Sequence, residues 1–381
     1  MIKGVVEGFY GPSWDLLDRL SIIDLLSYLE MNTYVYAPKW DPYHRERWRS
    51  PYPENILLEL EILSDHARRR GVEPVYALSP GLDIDYSSRE DLGALLRKYQ
   101  QVMNAGYDSI ALLLDDIPPV LRGKGYKTLA EAQASLANKV YKELKPKTMM
   151  LCPTHYWGYH EDYLRELGEK LDPEVKIFWT GPGIVSRKIM VGDVEKFIEI
   201  TGRKPLIWDN YPVNDYFLVK GYYRLHLGPY TGRDPKILDM VEGILLNPMN
   251  QAELSKIPIQ TAGIFLQDPQ HYNPLQALEE AITHNVNPEA RRAFRIIVML
   301  QQSTPMDPQA DHRPGPEEAD TLMKAVIELQ TRLTNKKMLH ELAYLLQGVQ
   351  QLVQSLEGKA EPHPRILLAG KYPVQLIPGY R

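Results

Sequence analysis

An alternation of short apolar runs with amphipathic helical runs, repeated eight times, restricts the fold of this chain more than any other feature. The apolar runs lie at 4–10, 33–38, 73–78, 109–114, 148–152, 175–180, 205–208 and 243–246. Each is followed by a helix-like stretch, at 13–29, 54–71, 89–106, 129–144, 161–171, 192–200, 235–241 and 253–266. In the first of these, Ser13 is a candidate cap, and Leu17, Leu20, Ile23, Leu26 and Leu29 follow at helical spacing. Short strands that are apolar throughout are those of a parallel sheet covered by helices on its outer face. Eight βα units of roughly 30–40 residues close a (β/α)8 TIM barrel. The competing architecture, a doubly wound open sheet, calls for a glycine-rich phosphate loop after the first strand. Gly8-Phe9-Tyr10-Gly11-Pro12 does not supply one, because proline follows the second glycine.

After about residue 274 the texture changes. Helical patterns at 275–284, 288–302, 316–334 and 336–356, with a proline-rich loop at 304–316, predict an α-helical C-terminal domain. The domains are thus expected at 1–270, a catalytic barrel, and 271–381, a helical domain whose tail at 362–381 lies extended against another surface. A chain of 381 residues with 44% hydrophobic content has ample core for both.

Net charge is −5, and no basic block interleaved with aromatics occurs, which argues against a nucleic-acid partner. The single cysteine, Cys152, rules out an internal disulfide framework and reads as a small buried hydrophobe. No apolar run reaches the ~18 residues of a membrane span. No signal-like segment opens the chain, so a soluble, cytoplasmic protein is expected, with secretion left open if a signal peptide has been removed.

In a barrel, catalytic side chains sit just after the strands. Glu7 and Gly8 lie at the first strand, Lys39 past the second, Asp115 and Asp116 past the fourth, and Thr154, His155 and Tyr156 past the fifth. Asp209, Asn210, Asn214 and Asp215 follow the seventh, and Asn247 the eighth. Trp40, Trp179 and Trp208 accompany them, and indole faces beside carboxylates and amides suit a sugar. Adjacent strand residues face opposite ways, so Asp115 and Asp116 both reach the mouth only if the strand has ended. Ile117-Pro118-Pro119 argues that it has. Two carboxylates this close push their pKa values apart, leaving one protonated near neutrality. Taken singly, each residue has a plainer reading. Lys39 is a surface lysine, Asn210 and Asn247 are turn formers, and Trp179 and Trp208 are core residues. A barrel metal site would want clustered histidines, and the ten here are scattered, so neither metal nor cofactor is expected.

With these residues in place, the sequence resembles glycoside hydrolase family 84, which holds bacterial β-N-acetylglucosaminidases and the eukaryotic O-GlcNAcase. The matching motifs run in order over residues 4–256. They are Glu7-Gly8-Phe9-Tyr10-Gly11, Met31-Asn32-Thr33-Tyr34, Tyr36-Ala37-Pro38-Lys39, Asp41-Pro42-Tyr43-His44, Ala77-Leu78-Ser79-Pro80-Gly81, Leu113-Leu114-Asp115-Asp116-Ile117, Cys152-Pro153-Thr154, Trp179-Thr180-Gly181-Pro182, Trp208-Asp209-Asn210 and Asn247-Pro248. The resemblance implies a retaining hydrolase of β-linked N-acetylglucosamine that uses the substrate's own 2-acetamido oxygen as nucleophile, through an oxazoline, outside the usual two-carboxylate scheme. It assigns Asp115 to the acetamide N–H and Asp116 to general acid and base chemistry. Tyr156 is assigned to the acetamido oxygen, and Asn210 to the same group. Gly8, Lys39, Asp215 and Asn247 are assigned to the sugar hydroxyls, with Asp215 taking those at C4 and C6, and Trp208 lines the site.

The implied partner is a GlcNAc-bearing glycan or glycoprotein, without nucleic acid or membrane, and the helical domain is a candidate homodimer contact. One departure is Trp40, where the family commonly has a second acidic residue after the lysine. The competing readings are an enzyme of the same chemistry acting on polysaccharide or host glycans such as hyaluronan, and a glycan-binding barrel without turnover.

Overall fold

The computed structural model describes residues 1–219, 221, 223–312 and 314–359, so the expected extended tail at 362–381 lies outside the described residues. The chain groups into two compact units. One comprises Met1–Gly8, Asp15–Asn210 and Gly232–Asn247, and the other Phe9–Trp14, Tyr211–Thr231 and the chain from Pro248 onward.

The first unit holds a closed parallel barrel of eight strands. They are β1 (Ile2–Glu7), β2 (Thr33–Tyr36), β3 (Glu73–Leu78), β4 (Ser109–Leu113), β5 (Met149–Cys152), β6 (Val175–Trp179), β7 (Pro205–Asp209) and β8 (Gly243–Leu246). Closure comes from β1 against β8, with Ile2 opposite Gly243 and Val5 opposite Leu246. Val6, Val35, Val75, Ala77, Ala111, Leu113, Met150, Phe178, Leu206 and Leu245 fill the interior. Each valine, leucine, methionine or phenylalanine among them contributes about 1.5–3 kcal/mol on burial. The first strand begins earlier than the sequence pattern implies and stops at Glu7. Gly8 N–H turns back to the Val6 carbonyl at 2.8 Å, a three-residue turn that takes the chain out of the sheet.

Between the strands run α1 (Leu16–Tyr28), α2 (Glu54–Arg69), α3 (Arg89–Asn104), α4 (Leu129–Leu144), α5 (Glu161–Lys170) and α6 (Val191–Thr201). The cap of α1 is Asp15 rather than Ser13, because Asp15 and Asp18 each accept the other's backbone N–H. Ser88 and Thr128 cap α3 and α4 in the ordinary way, and Gly202 closes α6 in the left-handed conformation. The short helix expected at 235–241 is a 3-10 helix of 5 residues, Pro235–Asp239, capped by Asp234.

The second unit holds α7 (Asp215–Val219), which the sequence pattern did not reveal, and α8 (Ala252–Gln267). Then follow α9 (Pro274–Asn285), α10 (Arg291–Met299), α11 (Ala319–Arg332) and α12 (Lys336–Leu356). The single helix expected at 288–302 opens as a 3-10 turn, Pro288–Ala290, since proline suits a first turn and lacks the N–H to continue one. Leu254, Ile257, Leu278, Ile282, Phe294, Leu322, Leu342 and Val349 form its core. The Glu341 carboxylate of α12 accepts the first backbone N–H groups of α8, from Glu253 at 3.1 Å and Leu254 at 2.9 Å, where the helix dipole favours an anion. Among the described residues no helix is long and apolar enough to cross a membrane.

Candidate active site at the strand ends

The site is built around the end of β4. Leu114 extends the pairing by one bond, its N–H to the Cys152 carbonyl at 2.8 Å. The Thr154 hydroxyl donates to the Leu114 carbonyl at 2.9 Å, which ties the ends of β4 and β5 together. The next residue, Asp115, is only 5% exposed. Lys39 Nζ bonds its Oδ2, while its Oδ1 is buried with no hydrogen-bond partner. Asp116 has φ of +52°, the left-handed region that aspartate tolerates better than most residues. That turn breaks the strand alternation and gives the two carboxylates different surroundings. Asp115 is buried on a lysine, whereas Asp116 is exposed and accepts the Tyr156 hydroxyl at 2.7 Å.

Burial alone pushes the Asp115 carboxyl up, but the Lys39 ammonium, the Arg45 guanidinium and the Lys39 hydrogen bond together outweigh it. The net direction is below the ordinary carboxylate range, so Asp115 is an anion with one acceptor oxygen to offer. Burial, then the neighbouring Asp116 charge, pushes the Tyr156 phenol far up, so it stays a hydrogen-bond donor.

The ends of β1, β7 and β8 meet beside this pair. A Cβ on Gly8 would lie 2.2 Å from Cζ2 of Trp208, so only glycine fits over the indole. Trp208 Nε1 donates to Asn210 Oδ1 at 3.0 Å, and Asn247 Nδ2 donates to the same oxygen at 2.9 Å. The Asn210 amide donates to the Ile184 carbonyl at 2.6 Å, and Asn247 Oδ1 is buried without a partner. Lys39 Nζ lies 5.8 Å from the Trp208 ring and so joins the two groups. Gly8, Lys39, Asp115, Asp116, Tyr156, Trp208, Asn210 and Asn247 are therefore all at strand ends of the first unit. Asp215 opens α7 in the second unit, where its Oδ2 accepts the Tyr10 N–H at 2.9 Å.

Several residues expected at the mouth face elsewhere. Glu7 is fully buried and takes Nε and Nη2 of Arg19 at 2.8 and 2.9 Å, together with the Tyr34 hydroxyl. Asp209 takes Arg233 in the same two-pronged way, at 2.8 and 2.7 Å. His155 packs at a tilt against His160, ring centres 4.3 Å apart, and meets the edge of Tyr163 at 4.7 Å. Asn214 is buried and donates to the Arg224 carbonyl at 2.8 Å. Trp179 is a core residue that offers no face to a sugar. Its Nε1 donates to the Gly158 carbonyl at 3.0 Å, and its ring packs 4.9 Å from Phe197. Trp40, by contrast, is 46% exposed. Sequence reasoning passed over Arg45, buried directly behind the aspartate pair. Its only sequence signal was its place immediately after the Asp41-Pro42-Tyr43-His44 motif. Among the described residues, no three His, Cys, Asp or Glu side chains are grouped to hold a metal ion.

The family model described as beta-N-acetylglucosaminidase matches residues 3–299. The Protein O-GlcNAcases of Rattus norvegicus and Mus musculus are each 40% identical over 269 residues, a match that covers 68% of this chain. It spans only 29% of the length of those relatives. A mutant of the Thermobaculum terrenum O-GlcNAc hydrolase superposes with a TM-score of 0.84 at 30% identity, covering 93% of this chain and 83% of that one. The structure named CpGH84B superposes with a TM-score of 0.79 at 29% identity, covering 94% and 68%. The chain belongs to the beta-N-acetylglucosaminidase family, glycoside hydrolase family 84.

Proposed function

We propose that this protein is a retaining β-N-acetylglucosaminidase that removes O-linked GlcNAc from proteins or peptides by substrate assistance. One observation carries the reading. Asp115 is a buried anion whose Oδ2 is fixed by Lys39 and whose Oδ1 has no partner. An unmet acceptor of that kind is costly unless a ligand supplies the donor. The 2-acetamido N–H of GlcNAc is a donor of the right kind. Its hydrogen bond to Asp115 makes the acetamide oxygen a better nucleophile toward the anomeric carbon. Oxazoline formation breaks the glycosidic bond, and Asp116 protonates the leaving oxygen. Asp116 then takes a proton from the water that opens the oxazoline with net retention.

Tyr156, which donates to Asp116 in the free protein, is assigned by the family resemblance to the acetamido oxygen, with Asn210 nearby. Gly8, Lys39, Asp215 and Asn247 are assigned to the hydroxyls. The catalytic assignment covers residues 1–270, and the helical region 271–381 is our candidate for a homodimer contact. A peptide-linked substrate and a single cysteine fit a reducing, cytoplasmic setting.

The test is turnover of an aryl β-N-acetylglucosaminide. Asp116→Asn should lose on the order of 10²–10⁴-fold in kcat. Wild-type rates should fall as the N-acyl group is made electron-poor by fluorination. Full activity in the variant, or indifference to fluorination, overturns the mechanism. Relative rates on an O-GlcNAc peptide and on chitobiose then separate a protein substrate from a polysaccharide.

A further inference from the structure

Arg45 is a buried arginine at the back of the pair, and it touches two strand ends. Its Nη1 donates to the Ser79 hydroxyl at 3.0 Å, just past β3, and its Nη2 donates to the Asp116 carbonyl at 3.2 Å, past β4. The preceding residue, His44, is tied to the end of β3 by two bonds. Ser79 N–H donates to the His44 carbonyl at 2.9 Å, and His44 Nδ1–H donates to the Ala77 carbonyl at 2.8 Å. Asp116 sits in a backbone region that L residues disfavour, because Cβ crowds the following carbonyl. A conformation of this kind persists only where the surroundings fix it. The Arg45 fork does so at the carbonyl of that residue.

We propose that Arg45 is a positioning residue for the aspartate pair, clamping the left-handed Asp116 peptide to the end of β3 while its charge supports the anionic Asp115. The inference rests on the reading of Asp115 and Asp116 as the catalytic pair. The two jobs are chemically separable. A lysine keeps the charge but lacks the planar fork that spans two acceptors, whereas a methionine keeps much of the bulk and loses both. The other groups bearing on Asp115 are Lys39, Asp116, Tyr156 and Cys152, and none of them changes in either substitution. His44 feels the charges of Lys39, Asp41 and Arg45, so the loss of charge in Arg45→Met also eases its protonation, whereas Arg45→Lys leaves it alone.

The experiment measures kcat and KM against pH for wild type, Arg45→Lys, Arg45→Met and Asp116→Asn. Each is assayed on two β-N-acetylglucosaminides, one with a strongly activated phenol and one with a poor leaving group, with thermal melts as the check of folding. A poor leaving group needs its proton from Asp116, and an activated phenol does not. Arg45→Lys should lose on the order of 10- to 100-fold in kcat on the poor leaving group, far less on the activated one, and keep the acidic limb of wild type. Arg45→Met should show the same discrimination and also move the acidic limb to higher pH, because Asp115 then takes up its proton earlier.

If the methionine variant does not fold, the lysine variant alone decides the clamp. A folded Arg45→Lys with the leaving-group dependence of wild type overturns the proposal. Inactivity of the wild type, or wild-type rates in Asp116→Asn, overturns instead the reading of the pair on which the proposal stands.

Discussion

Two buried carboxylates of the first unit, Glu7 and Asp115, meet cations in opposite ways. Glu7 is saturated, with both prongs of Arg19 and a tyrosine hydroxyl occupying its two oxygens. The Asp209–Arg233 pair repeats the pattern. Asp115 meets a lysine, which as a point donor reaches Oδ2 and leaves Oδ1 unfilled. Desolvating an ion is tolerable when every lone pair is used, and costly when one is not. The first arrangement therefore holds the fold together, and the second holds a vacant acceptor in a fixed place. Burial and charge are alike in the two regions; what separates them is completeness of hydrogen bonding.

The comparison can be broken in three ways. The largest effect is expected from Arg19→Met, which strands Glu7 without its counter-charge. It should cost about 3–5 kcal/mol in denaturant unfolding. Under conditions where the variant remains folded, kcat should stay within a few-fold of wild type. A collapse of kcat without loss of stability would show that the two regions are not distinct.

Next comes His44, buried beside the site and pushed down to about 4 by burial first and the Lys39 charge second. In the unfolded chain it takes a proton near pH 6.5, so folding stability is fully present above that pH. It falls as pH drops from about 6.5 to about 4, by up to about 3 kcal/mol. Urea titrations across that window should show the fall, and His44→Asn should flatten its share of it. His226, pushed down to about 3 by burial, contributes in the same direction, so the difference between variant and wild type is the quantity to read. Asp115 acts lower on the scale. Its contribution is present above the ordinary carboxylate range and is lost as pH falls through its depressed value.

The smallest effect is Gly8→Ala, whose methyl must displace the Trp208 indole. Overpacking of this kind costs about 1–3 kcal/mol. If Gly8 lies against the sugar hydroxyls, as proposed above, KM should rise more than kcat falls. Equal and full loss of both would place Gly8 in the chemical step.

The barrel could be read from the eight-fold alternation because period and length speak directly to a parallel sheet. The aspartate pair was legible for a related reason, since two charges after five apolar residues mark where a strand stops. The phase of each strand was not legible. Glu7 and Asp209 end their strands facing outward, while Val6 and Trp208, one position earlier, face in. In a parallel barrel both faces are apolar, so polarity gives no clue to which residues point inward. That is why Trp179 read as a sugar platform when it is core, and why Glu7 and Asp209 read as site residues when they are paired with arginines. Arg45 was missed because its role depends on contacts with Ser79 and Asp116, far away in sequence.

The two units are not consecutive segments. The chain passes between them after Gly8, Trp14, Asn210, Thr231 and Asn247. No single proteolytic cut therefore releases either one intact. A truncation after residue 270 would take α9–α12 away from Leu254 and Ile257 of α8, and leave those side chains without their partners. Engineering of this protein by shortening should therefore begin beyond α12, and swapped modules should carry the segments 9–14 and 211–231 along with the helices.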